Sequence, residues 1–321
     1  MRVERRRGSI VESSHEIHAA VVSADGRLTA RVGDPELVTF WRSAAKPFQS
    51  LPLITDGVAA QFKLTTQEVA LTCASHSSEP AQVELVRAFL AKVGCKEADL
   101  LCGPHAPLSD SVAQDYKTRG VTLTAVYSNC SGKHTGMLAL AKHHGWPRAN
   151  YTAMEHPVQA RCLDEVSRWT GVARDRIGTG VDGCGVVCFA VPLRAMALAY
   201  AKLGSGDRES GADAIVQAML RHPELIAGEG RPCTELMQAF PGRVIAKIGA
   251  EGVYSALLVK EGIGIALKVA DGHTAAAALA LGAIVRDLGL GSPPPGLDAR
   301  PIRNSRGKVV GDMRVNGGLT R

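Results

Sequence analysis

Aromatic residues are scarce in this chain of 321 residues: three Trp, five Tyr and six Phe, 4% in all. Its core must therefore rest on Ala, Val, Leu and Ile. No apolar run reaches the roughly 18 charge-free residues that a membrane-spanning helix needs. The nearest candidate, residues 274–285, is short and Ala-rich and reads as a buried helix. The first 25 residues hold no secretory apolar region, only the brief strand-like run 17–22, so a cytoplasmic location is expected. In that compartment the eight cysteines are thiols, metal ligands or catalysts before they are disulfides. A basic stripe is missing too. The net charge of +6 is spread along the chain, and the one cluster (Arg2, Arg5, Arg6 and Arg7) reads as a solvated end, so no nucleic-acid partner is expected. What remains is ordinary for a soluble globular protein, with 45% hydrophobic and 21% charged residues.

The order of the local patterns predicts a fold class. Residues 17–23 and 28–32 are β-prone, with Ala24-Asp25-Gly26 as the turn between them. Residues 38–41 form another apolar run. Ser43 then opens a stretch with helical spacing in which Pro47 falls in the first turn, where proline is tolerated. Thr65 and Glu68 have the spacing of a capping box. Helices are predicted at 81–93, 131–144, 158–169, 193–203, 211–221 and 274–288, with Gly145, Gly171 and Gly204 as stops after three of them. Residues 243–248, 253–260 and 263–269 are β-rich and joined by turns at Gly249, Gly252 and Gly262. A last strand is expected near 308–315. Strands at both ends and helices between them predict an α+β fold, with an antiparallel sheet built from both chain ends and packed with helices. No repeat or long linker interrupts the chain, so a single catalytic domain over 1–321 is expected.

Five segments hold chemistry-bearing residues. In Ser43-Ala44-Ala45-Lys46, helical spacing brings an amine within reach of a hydroxyl. Serine is a poor nucleophile until a nearby base takes its proton, and a desolvated lysine suits that task. Lys247-Ile248-Gly249 puts a second lysine at a strand end. Ser75-His76-Ser77-Ser78 invites a triad reading, but no acid is singled out as its third member. The stretch 129–136 holds Cys130 and Lys133 three apart at a helix start. It partly resembles a phosphate loop, but Tyr127 stands where the first glycine is required, which argues against a nucleotide. Finally, Asp182-Gly183-Cys184-Gly185 reads as a tight turn. Cys184 is a soft ligand that could join Cys130 on zinc, although no Cys-x-x-Cys is present.

Singly these patterns are weak. In this order, WRSAAKPFQ, CASHS, SNCSGKHTGML, DGCGVV and KIGAEGVY resemble the asparaginase II family of the Rhizobium etli type over nearly the whole chain. The resemblance implies a serine β-lactamase and glutaminase-like fold. It also implies hydrolysis of L-asparagine to L-aspartate and ammonia by two serine–lysine pairs. Ser43 would be the nucleophile with Lys46 as its base, and Ser75 with Lys247 the second pair. Cys130, Lys133 and Cys184 would hold zinc, with a water as fourth ligand. That zinc would serve substrate affinity rather than catalysis, and Lys133 would have to lose its proton to bind it. Asp182, Cys233 and His76 would lie with the substrate, and Arg42 could meet its α-carboxylate. The family implies a homodimer.

Three rivals stay open. A serine β-lactamase uses Ser-x-x-Lys, Ser/Tyr-x-Asn and Lys-x-Gly in the order of Ser43, Tyr127 and Lys247. A glutaminase uses the same chemistry one methylene longer. A non-catalytic zinc or amino-acid sensor would bind without releasing ammonia.

Overall fold

The computed structural model describes residues 1–205 and 209–321. The strands are β1 (Arg2–Arg7), β2 (Ile10–Ser23), β3 (Leu28–Val32), β4 (Val38–Phe40), β5 (Gly178–Val181), β6 (Val187–Pro192), β7 (Val244–Ile248), β8 (Val253–Leu258), β9 (Ile263–Val269), β10 (Ala299–Arg303) and β11 (Val309–Asn316). Two compact units are formed. The first comprises Met1–Ala44, Val191–Gly204 and Glu235–Arg321, the second Ala45–Ala190 and Ser205–Thr234.

The first unit is a sheet in the order β10-β11-β1-β2-β9-β8-β7, with β3 added to β2. Neighbouring strands run antiparallel, and both chain ends contribute, as expected. Every residue of β7 and β8 is buried. Such strands are covered on both faces, which is why they read as continuous apolar runs rather than alternating ones. The helix Leu193–Leu203 packs on β2, β8 and β9, and the helix Thr274–Asp287 packs on β8, β9 and β11.

The arginine-rich start of the chain keeps its arginine side chains at least partly exposed, as a solvated end would, but it is also a strand that the sequence did not predict. Arg2–Arg7 is a paired strand between β2 and β11. Val3 is fully buried, and Glu4 accepts hydrogen bonds from Arg6 and from Asn316 across the ladder. A single valine among charges gives no alternating pattern; the two neighbouring strands decide its conformation.

The second unit is mostly helical. Lys46–Ser50, Thr66–Thr72, Pro80–Lys92, Ser131–His143, Pro157–Thr170 and Ala212–Arg221 match the predicted helices, with the hairpin of β5 and β6 beside them. The capping box forms as predicted: Glu68 N–H donates to Thr65 Oγ1 at 3.2 Å, and Thr65 N–H to Glu68 Oε2 at 2.7 Å. Gly145 and Gly171 end their helices with left-handed φ of 68° and 73°. Gly204, in the first unit, has an ordinary φ of −75°. A Cβ there would sit 2.9 Å from Leu257 Cδ1, so close packing and not conformation asks for glycine. The helix Asp110–Thr118 was not visible in the sequence, because Tyr116 is its one buried residue and no apolar stripe marks it.

One helix start in the first unit carries a pH dependence. The imidazole of His273 accepts the N–H of Ala276 and so caps Thr274–Asp287. The His15 ring lies against it, tilted by 32° with centroids 4.2 Å apart, and bonds Asp271. Burial first, then His15, Arg300 and Arg5, hold His273 below the usual histidine range, against the pull of Asp271. A histidine with a lowered folded pKa stabilises the fold fully above its unfolded pKa, about 6.5. That contribution is lost as pH falls through the folded value. The expected result is a lower urea midpoint at pH 5 than at pH 7, and a smaller difference in His273→Asn, which keeps a capping oxygen without the titration. Equal pH dependence in both proteins would remove His273 from this account.

Candidate active site

In the first unit, Arg42, Ser43 and Lys247 are the residues singled out by sequence. Ser43 is half-buried on a one-turn 3-10 helix, Arg42–Ala45, that continues into Lys46–Ser50. The residue before it, Arg42, has a φ of 52°, a left-handed conformation that costs a non-glycine residue energy. The surroundings hold it there. Trp41 is fully buried and its indole N–H donates to Ser255 Oγ at 3.0 Å. Tyr200 Oη donates to the carbonyl of Ala44 at 2.8 Å. A Cβ at Gly249 would lie 2.9 Å from Trp41 O, so the glycine of Lys-x-Gly lets the strand end approach the Ser43 turn. Lys247 is fully buried on β7 opposite Ser255, and its Nζ donates to Ile248 O at 2.8 Å. Sequence reasoning missed Trp41, Tyr200 and Ser255 because none is reactive. Their role is to hold a strained turn.

The second unit brings Lys46, Ser75, Cys130, Lys133 and Cys184 together. Lys46 is buried in the first turn of its helix. Its Nζ donates to Ala74 O at 2.5 Å and to Ser75 Oγ at 3.0 Å. Ser75 lies on the irregular but hydrogen-bonded loop after Thr66–Thr72, and its N–H is held by Ile226 O at 2.9 Å.

Cys130 directly precedes the helix Ser131–His143, and Lys133 is one turn on. Cys184 reaches them from the turn between β5 and β6, which closes with Asp182 N–H to Val186 O at 2.8 Å and Gly185 at a φ of 88°. Lys133 Nζ lies 3.2 Å from Cys184 Sγ. The hydrogen bond from Cys184 holds the Cys130 thiol well below its usual range, aided by Lys46 and Lys133 and opposed by burial. The same bond, then burial, pushes Cys184 up. Burial alone would lower the Lys133 pKa, but Cys184, Cys130 and Asp182 together raise it. Among the described residues, no group of three or more His, Cys, Asp and Glu is arranged to hold a metal. With the lysine counted, two sulfurs and one nitrogen converge, a set that fits zinc once Lys133 loses its proton.

The remaining predicted residues are placed as follows. Asp182 is half-buried, and its Oδ1 accepts the N–H of Gly183 at 2.7 Å. Cys233 is fully buried in the first turn of Pro232–Ala239. His76, expected beside the substrate, has no exposed surface and uses both ring nitrogens inside the second unit.

Residues 3–315 match the family described as L-asparaginase II. The chain belongs to that family. No curated protein matches it. Among solved structures, Mglu in its native form is similar with a TM-score of 0.47 and 17% identity, covering 85% of this chain and 64% of that one. This chain thus spans less than two thirds of the length of that Mglu chain. A crystal structure described as a putative β-lactamase from Bacteroides dorei has a TM-score of 0.44 and 11% identity, covering 79% and 85%.

Proposed function

We propose that this family member hydrolyses L-asparagine to L-aspartate and ammonia, with Ser43 as nucleophile and Lys46 as its base. The observation that carries the reading is the buried Lys46 amine. It lies one helical turn after Ser43 in the chain and 3.0 Å from the second serine, Ser75.

Neutral Lys46 takes the Ser43 proton, and Oγ attacks the side-chain amide carbon. The tetrahedral intermediate collapses, with the amide nitrogen protonated through Ser75 and Lys247, and ammonia leaves. Water then attacks the β-aspartyl ester, its proton passes back along the same groups, and Ser43 is regenerated. Backbone N–H groups of the turn that carries Ser43 are the donors available to a developing oxyanion. Arg42 serves the substrate carboxylate and Asp182 its amine.

Cys130, Lys133 and Cys184 would hold a zinc ion. When bound, it supplies fixed positive charge that favours an anionic substrate group. Asp182, two residues from Cys184, orients that corner of the site.

Purified protein is assayed for ammonia release from L-asparagine and L-glutamine, with its zinc content measured alongside. The expected result is release from asparagine at least about tenfold faster than from glutamine, the discrimination a single methylene supports. Faster release from glutamine would replace the asparaginase reading with a glutaminase. Release from neither, by folded and zinc-loaded protein, would reject both.

A further inference from the structure

The loop that carries Ser75 is held by a chain of hydrogen bonds whose polarity can be read atom by atom. Ser78 N–H donates to His76 Nδ1 at 3.1 Å. A backbone N–H only donates, so Nδ1 carries a lone pair and the proton sits on Nε2. Nε2 lies 2.8 Å from Ser131 Oγ, which must accept there, and the Ser131 hydroxyl passes its own proton to Val126 O at 2.9 Å. Each group has one direction available. The ring is wholly buried, as is Ser131. A second proton on His76 would oppose N–H to N–H at Ser78, in a dry site near the Lys46 amine. Burial first, and then Lys46, hold this imidazole down at about 3. His76 is therefore neutral throughout the working range and performs no acid–base step.

The same two segments are joined at two further points, and a third bond ties the loop to the helix Asp110–Thr118. His76 N–H donates to Asn129 O at 3.2 Å, Ser78 Oγ donates to Tyr127 O at 2.6 Å, and Tyr116 Oη donates to Ser78 O at 2.7 Å. Ser78 itself has a φ of 60°, so the loop is bent into a conformation it would not adopt unaided. One side of this seam carries Ala74 O and Ser75 Oγ, the two oxygens that receive the Lys46 amine. The other side runs on into Cys130, which directly precedes the helix Ser131–His143. The seam therefore sets where the acceptors of Lys46 stand.

We infer that His76 and Ser131 form a positioning pair for the Lys46–Ser75 contact, a role distinct from binding the substrate. The inference rests on the proposed serine–lysine chemistry, and its test separates the two. The variants are Ser131→Ala, His76→Gln and the double substitution, each first confirmed as folded by its circular dichroism spectrum and melt. One readout is kcat and KM for ammonia release. The other needs no turnover: the 13Cε resonance of Lys46 in 13C-lysine-labelled protein, assigned with Lys46→Arg.

The expected result is a kcat about ten- to a hundredfold lower in Ser131→Ala, with KM nearly unchanged, because misplacing a reacting group costs that much without weakening binding. The Lys46 resonance moves in the same variant. The double substitution is no worse than the poorer single one, since both remove one connection. A purely structural role would lower the melting temperature and leave kcat and the resonance where they were; that result overturns the inference. A raised KM with kcat preserved in His76→Gln would also overturn it, by returning the imidazole to the substrate. If wild-type protein releases no ammonia while the Lys46 resonance still moves, the proposed function fails and the positioning pair stands.

Discussion

Ser43→Ala is expected to fold normally and to release ammonia from L-asparagine at least about a thousandfold more slowly than the unaltered protein. The change removes one oxygen from a half-buried side chain on a one-turn helix and keeps its Cβ. Alanine suits a helical position, so little stability is at stake. What disappears is the atom proposed to form the covalent bond. Intact-protein and peptide mass spectra after a slow ester substrate should place the acyl group on the Ser43 peptide, and on nothing in Ser43→Ala.

This experiment has a sharp competitor within the same molecule. Lys46 donates to Ser75 at 3.0 Å, so Ser75 is also a serine with a lysine beside it. If Ser75 only relays protons, Ser75→Ala should cost about a hundredfold, the usual size of a proton-transfer contribution. If the order is reversed, with Ser75→Ala inactive and Ser43→Ala near normal, the nucleophile is Ser75 and the mechanism above is wrong in its first step.

Gly132→Ala is expected to lower stability by about 3 kcal/mol, the upper range for overpacking a filled interior. The new Cβ would stand 2.4 Å from Leu71 O and 2.6 Å from Leu71 Cγ. The first of these is backbone, which cannot turn aside as a side chain does. Gly132 and Gly136 are the positions where Ser131–His143 lies against Thr66–Thr72. At Gly136 the nearest atom is a threonine methyl at 2.9 Å, so Gly136→Ala should cost about 1 kcal/mol, which relaxation of that side chain can absorb. For a chain of this size 3 kcal/mol is a fall of about 6–10 °C in melting temperature. The helices also carry chemistry: one leads into Ser75, and the other begins at Cys130 and holds Lys133. Gly132→Ala should therefore weaken metal binding at the proposed zinc site and slow turnover as well. A melting temperature equal to that of the unaltered protein would show that the two helices do not depend on this contact.

Gly132 also shows where sequence reading stops. In Gly-Lys-His-Thr it stands where a phosphate loop has its second glycine, and absence of the first was enough to reject a nucleotide. Its actual reason, the backbone of Leu71, is 61 positions earlier in the chain. Local spacing carries no information about such a contact. The same holds for Trp41, Tyr200 and Ser255, which are chemically bland and matter only because they brace the Ser43 turn.

The helices were legible because caps and glycine stops act within a few residues, and the strands of residues 17–32 and 244–269 because short β-prone apolar runs are bounded there by glycine turns. The order of five short motifs was equally legible and led to the family, since order survives when each motif alone is weak. Tertiary structure alone decided the rest. It made the arginine-rich start a strand, through the partners on either side. It joined Lys46 to Ser75, brought Cys184 to Lys133 across 51 positions, and took His76 out of solvent. The physical reason is the range of the forces involved. Turns, caps and amphipathic faces are set by neighbours within a helical turn. The partner of a buried amine, thiol or imidazole is whichever group the packed chain leaves within 3 Å, and packing depends on the whole chain.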